Sequence, residues 1–112
     1  MKLKSILSHL KLMLNRVIYS TREREDLTLV EFNIEGGVLD VSELEEAVRT
    51  APAVNWTKGV CISGRGPVWL YAALTHKYHP APFIATYEPR MNSCIVVASH
   101  TPKYRIGDVI PL

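Results

Sequence analysis

The run Ser63-Gly64-Arg65-Gly66-Pro67 sets two glycines, a guanidinium and a hydroxyl between an apolar pentad and an apolar stretch of helical character. A strand that passes through glycines into a helix presents the unpaired first amides of that helix at the positive end of its dipole, which suits a phosphate. Gly64 and Gly66 allow a tight turn and the close approach of a ligand. Pro67 fits the first helical position, where an amide would have no partner. Arg65 can pair two oxygens of one phosphate, and Ser63 adds a hydroxyl. The run lacks the Gly-Lys-Ser/Thr of a P-loop and holds one Gly-x-Gly rather than a full dinucleotide fingerprint. A plain strand-to-helix turn with its arginine in water has the same spacing, so both readings stand.

A second group of chemically capable residues follows. His76 and His79 stand three apart at the end of the next helical stretch, His100 ends the last apolar run, and Glu88 is followed by Pro89 and Arg90. A carboxylate with imidazoles suits a borderline metal such as manganese or zinc, and it also suits acid–base work on a phosphodiester. If the runs at 83–87 and 94–99 are hairpin partners, the Glu88 end and the His100 end lie at opposite ends of the pair. They then meet only when subunits come together, or when the two strands are not simple neighbours.

The elements that must position these groups read as ββαβαββ. Residues 16–20 form a short strand, Arg22-Glu23-Arg24-Glu25-Asp26 a charged turn, and 27–35 a strand with Val30, Phe32 and Ile34 on one side and Glu31, Asn33 and Glu35 on the other. Gly36-Gly37 ends that hairpin. Ser42 with Glu45 is a capping-box pattern opening a helix over about 43–51, which Pro52 stops. Gly59-Val60-Cys61-Ile62-Ser63 is apolar on both faces and reads as a buried strand, and a helix over about 68–78 follows the turn. That helix is apolar nearly all round, so it is buried on more than one side, and Trp69 and Tyr71 are either core or interface aromatics or platforms for a nucleobase. Strands at 83–87 and 94–99 are joined by a turn-rich bend, and Gly107-Asp108-Val109-Ile110 reads as a turn and a short apolar anchor. Leu3, Leu7, Leu10 and Leu14 follow a helical rhythm over 3–18. That segment reads either as a docking or dimerising helix or as an upstream extension.

Bulk properties bound the function. A chain of 112 residues fits one domain, and 47% apolar with 21% charged residues is an ordinary globular balance. A net charge of +2 excludes a protein that coats long nucleic acid by bulk electrostatics, but not one that holds a compact anion in a local pocket. No apolar run approaches the roughly 20 residues that cross a bilayer, so no membrane partner is expected. Cys61 and Cys94 lie in apolar runs at a spacing that matches no zinc motif, and they read as reduced core cysteines in a cytoplasmic protein.

Five segments carry a resemblance. They are Lys58-Gly-Val-Cys-Ile-Ser-Gly-Arg-Gly-Pro-Val-Trp-Leu70, Thr75-His-Lys-Tyr-His-Pro80, Tyr87-Glu-Pro-Arg90, Ile95-Val-Val-Ala-Ser-His100 and Gly107-Asp-Val-Ile110. Together they resemble the third of the Csx series of CRISPR-associated proteins, a type of ring nuclease. The resemblance covers 16–110 and leaves 1–15 as an N-terminal helical extension outside the ring-nuclease-like α/β domain at 16–112. It implies a mixed-sheet fold distantly related to the Rossmann-like sensor domains of CRISPR systems, and a homodimer whose dimers stack head-to-tail around an RNA ligand rather than DNA. It also implies manganese-dependent cleavage of cyclic tetra-adenylate, the second messenger of type III CRISPR defence. The alternatives are a non-catalytic sensor or sponge and a manganese-dependent RNA 3′-end exonuclease.

Carried over by position, His79, Glu88 and His100 take the catalytic places, with Glu88 and His100 on the metal. Ser63, Gly64, Arg65, Gly66, Pro67, His76 and Arg90 fall to ligand binding. The chain departs from the family at Glu88, where aspartate is usual, and at Asn92-Ser93, where glycines are usual. The extra methylene of Glu88 moves the carboxylate, and metal distances tolerate only about 0.2 Å.

Overall fold

The fold is that of a computed structural model, which describes Leu3 and residues 15–112. The helical rhythm at the N-terminus falls outside the described residues up to 14, and by Val17 the chain is already in a strand. One sheet contains β1 (Val17–Glu23), β2 (Leu27–Ile34), β3 (Gly59–Ser63), β4 (Phe83–Glu88), β5 (Ser93–Ser99) and β6 (Val109–Pro111). The strands lie in chain order, with β2, β3 and β4 parallel and antiparallel pairs outside them. Two helices, α1 (Leu44–Arg49) and α2 (Val68–Lys77), make the two parallel crossovers. The expected mixed-sheet α/β domain is therefore present, with a sixth strand where the tail was read as a turn and anchor. Three residues at a sheet edge are too short to show an alternating pattern.

Both helices cover one face of the sheet. Val30, Phe32 and Ile34 of β2 meet Ala47, Leu70, Leu74 and Tyr78 there, as the alternation along β2 requires. A single turn of 3-10 helix (Val41–Glu43) leads into α1. Its capping box is formed by Asp40 and Glu43 rather than by Ser42 and Glu45. The Asp40 carboxylate accepts from the Ser42 amide at 2.9 Å, and Glu43 accepts from the Asp40 amide at 3.1 Å. Glu43 is also gripped by both forks of Arg16, at 2.6 and 2.9 Å, which ties the start of β1 to the start of α1.

The opposite face is closed by the sheet itself. Leu27, Leu29, Cys61, Phe83, Ala85, Cys94 and Val96 form a second core with Tyr104, Ile110 and Leu112. β3 and β5 are separated by β4, so in a flat sheet they would lie about 10 Å apart. The Cα atoms of Cys61 and Cys94 are 6.2 Å apart, and their sulfurs are bonded. The sheet therefore curls, with an irregularity in register at Ile84/Ala85, and brings Cys94 of β5 against Cys61 of β3. The expectation of reduced cysteines is corrected by this disulfide. An apolar setting is common to both states, and only the curl brings the two sulfurs together.

Candidate nucleotide-binding site

The turn after β3 is built against β2. A Cβ at Gly64 would lie 2.5 Å from the Phe32 carbonyl oxygen and 2.7 Å from its ring. One at Gly66 would lie 2.7 Å from the same ring. Real side chains do not come that close, so both glycines are dictated by the packing of the turn on Phe32. The expectation that they admit a ligand is thereby changed: their bare sides face the core. Pro67 is the N-cap, with extended φ −69° and ψ 152°, one position before the place expected for it. No side chain caps α2. Its core side is Leu70 and Leu74, while Val68, Ala72 and His76 are exposed.

On the outer side of the turn a cleft of about 390 Å³ is lined by Ser63, Gly64, Arg65, Tyr71, Tyr87 and Pro89. A second cleft of about 290 Å³ shares Ser63 and Tyr87 with it and adds Arg22, Arg24, Glu31 and Asn92. Parallel pairing of β3 and β4 sets Glu88 at the same end of the sheet as Ser63. Arg90 donates from Nε to the Glu88 carboxylate. Tyr87 donates its hydroxyl to Asn92 Oδ1 at 2.7 Å, and Asn92 sits at φ 43°. That left-handed position explains why an asparagine can stand where glycine is usual.

His79 and His100 meet at the other end. The rings of His79 and His100 pack edge to face with centroids 4.7 Å apart. His100 is fixed by its amide, which donates to Pro82 O at 2.8 Å, and the His79 amide donates to His76 O at 3.2 Å. β4 and β5 pair from Phe83↔Ser99 to Glu88↔Ser93, five residue steps that span about 16 Å. Within one chain, Glu88 and His100 therefore cannot share a metal. Among the described residues no three histidine, cysteine, aspartate or glutamate side chains converge on one point.

Ser63, Gly64, Arg65, Glu88 and Arg90 are thus brought to one end, and His79 with His100 to the other. Tyr71, read from the sequence as a core or interface aromatic or a platform for a nucleobase, lines this cleft, whereas Tyr87 was not singled out as a site residue. For Tyr87 the available signal was its place two residues after Ala85 on the strand face turned away from the helices.

The cleft lies at the carboxyl ends of the parallel strands β3 and β4, beside the start of α2, in a small α/β domain with a mixed six-stranded sheet. The family described as CRISPR-associated protein (Cas_csx3) matches residues 33–111. An uncharacterized protein of Aquifex aeolicus (strain VF5) is 38% identical over 90 residues, covering 77% of this chain and 78% of the relative. The chain belongs to the Cas_csx3 family of CRISPR-associated proteins. Among the described residues no helix is long and apolar enough to cross a membrane.

Proposed function

We propose that this chain is a ring nuclease: a manganese-dependent phosphodiesterase that binds cyclic tetra-adenylate and cleaves it, ending type III CRISPR signalling. The observation that carries this reading is the separation of two half-sites on one rigid sheet. The glycine turn with Glu88 and Arg90 is at one end, and the His79–His100 pair is at the other. Homodimers stacked head-to-tail bring unlike ends of different copies onto one ligand, so a chain split in this way needs its stack to act.

One carboxylate and one imidazole from different copies make a mixed oxygen and nitrogen donor set that suits manganese. Glu88 and His100 would hold it, and it would supply positive charge to the reacting phosphate. Arg65 and the backbone of residues 63–67 bind phosphate oxygens, and Arg90 offers a second guanidinium. As an oxygen nucleophile gives up its proton to solvent and bonds to phosphorus, the P–O5′ bond breaks and His79 passes a proton to the leaving oxygen.

Binding without turnover is the second reading. It is favoured by Glu88, whose carboxylate is already engaged by Arg90. Chromatography of cyclic tetra-adenylate incubated with the protein and manganese separates the two. Linear products support the nuclease, while intact ring beside a calorimetric binding isotherm supports the sensor.

A further inference from the structure

We propose that Tyr71 is a positioning residue, one that aims the Arg65 backbone amide at a phosphate oxygen of the ligand; this rests on the reading of the glycine turn as the ring-binding site. The Tyr71 hydroxyl donates to the Gly64 carbonyl at 2.5 Å. Its ring stands edge-on to Phe32, with centroids 5.4 Å apart, and Phe32 fills the space beneath both glycines. The turn is therefore held from two sides, by Phe32 of β2 from within and by Tyr71 of α2 at its carbonyl.

The consequence follows from the planarity of the peptide unit. In a trans peptide the carbonyl and the following N–H point in opposite directions. Fixing the Gly64 carbonyl on Tyr71 fixes the Arg65 N–H pointing away from the Tyr71 hydroxyl. Among the described residues that N–H donates to no protein acceptor, and Arg65 lines the same cleft as Tyr71. A glycine linkage would otherwise rotate readily, because nothing at Cβ resists a flip of the peptide plane. The hydroxyl thus keeps a donor preorganised for an anionic oxygen, and a preorganised donor binds without a further cost of ordering.

Tyr71→Phe is the test, because it keeps the ring, the Phe32 contact and the helix and removes only the hydroxyl. Affinity for cyclic tetra-adenylate is measured by calorimetry without metal, well below the melting temperature. The Arg65 amide is followed by NMR in parallel. Phe32→Leu, which loosens the packing but keeps the hydroxyl, is the control for a merely structural role. The expected result is about a tenfold loss of affinity in Tyr71→Phe, out of proportion to any change in stability, with the Arg65 amide no longer shifting on addition of the ring. Equal affinity in wild type and Tyr71→Phe, or losses in both variants that track stability alone, would overturn the positioning role and leave the proposed function standing. A wild-type protein that does not bind the ring would overturn the proposed function, and this inference with it.

Discussion

His79 and His100 touch edge to face, ring centroid to ring centroid 4.7 Å, although 21 positions separate them in the chain. Each is exposed, and among the described residues neither is held by a carboxylate. In the proposed function this pair divides two tasks: His100 would hold the metal, and His79 passes a proton to the leaving oxygen. The pair stands a strand's length from the turn that would hold the phosphate. His100→Ala is expected to lower ring cleavage about 100-fold or more while leaving binding of the intact ring essentially unchanged. Chromatographic rates beside calorimetric affinities check this, and full activity in the variant would remove His100 from the chemistry.

The disulfide makes a stability prediction. Cys61 and Cys94 close a loop of sequence separation 33, and a cross-link of that span is worth about 3–4 kcal/mol in the chain-entropy account. Unfolding in urea with and without a reductant is expected to show a lower midpoint when the bond is reduced. Cys61→Ser with Cys94→Ser is expected to lower the midpoint at least as far as reduction does, because each hydroxyl would be buried in the apolar core.

Gly66 tests the origin of the turn. Gly66→Ala places a methyl against the Phe32 ring and is expected to destabilise by about 1–3 kcal/mol, as overpacking does. In a Phe32→Leu background the offending ring atoms are gone, so the same substitution is expected to cost less. Denaturant melts of the four proteins in the cycle measure that coupling. Additive costs would mean that the glycine is required for some other reason.

Stability should fall at both ends of the pH scale. The Lys58 ammonium and Thr28 hydroxyl hold Glu23 below the usual carboxylate range, and the Tyr104 hydroxyl and Lys103 ammonium do the same for Asp26. A carboxylate depressed in the folded state contributes stability that is present above its unfolded pKa of about 4 and lost as pH falls through the folded value. Tyr19, half-buried with its hydroxyl donating to Ala47 O, is pushed up to about 12 by that burial. The folded state then holds a proton that the unfolded chain releases near pH 10, so stability falls as pH rises from about 10 toward 12. Thermal melts across pH 2–12 should trace this dome, and a rise in melting temperature above about pH 10 would contradict it.

The elements that bury a patterned face were legible in the sequence. The alternation of Val30, Phe32 and Ile34 and the unbroken apolar run from Val60 to Ile62 located β2 and β3, and with them the turn. The capping box was not fixed, because Asp40–Glu43 and Ser42–Glu45 have the same spacing and only the path of the chain chooses between them. The disulfide depends on the curl of the sheet, a tertiary property with no local signature. The hydrogen bond from Tyr71 to Gly64 was invisible for the same reason: it joins the first turn of a helix to the loop before it through a geometry set by Phe32. The opposition of the Glu88 and His100 ends could be read in advance, because antiparallel pairing alone requires it.

The most direct test of a composite site is complementation. Glu88→Ala and His100→Ala variants are prepared separately, shown to be inactive on cyclic tetra-adenylate with manganese, then mixed and assayed together. Each variant retains the half-site that the other lacks. If the two halves act from different copies, the mixture must regain cleavage that neither protein has alone, as some stacked assemblies pair an intact Glu88 with an intact His100. A mixture as inactive as its parts, although wild type cleaves the ring, would contradict the account.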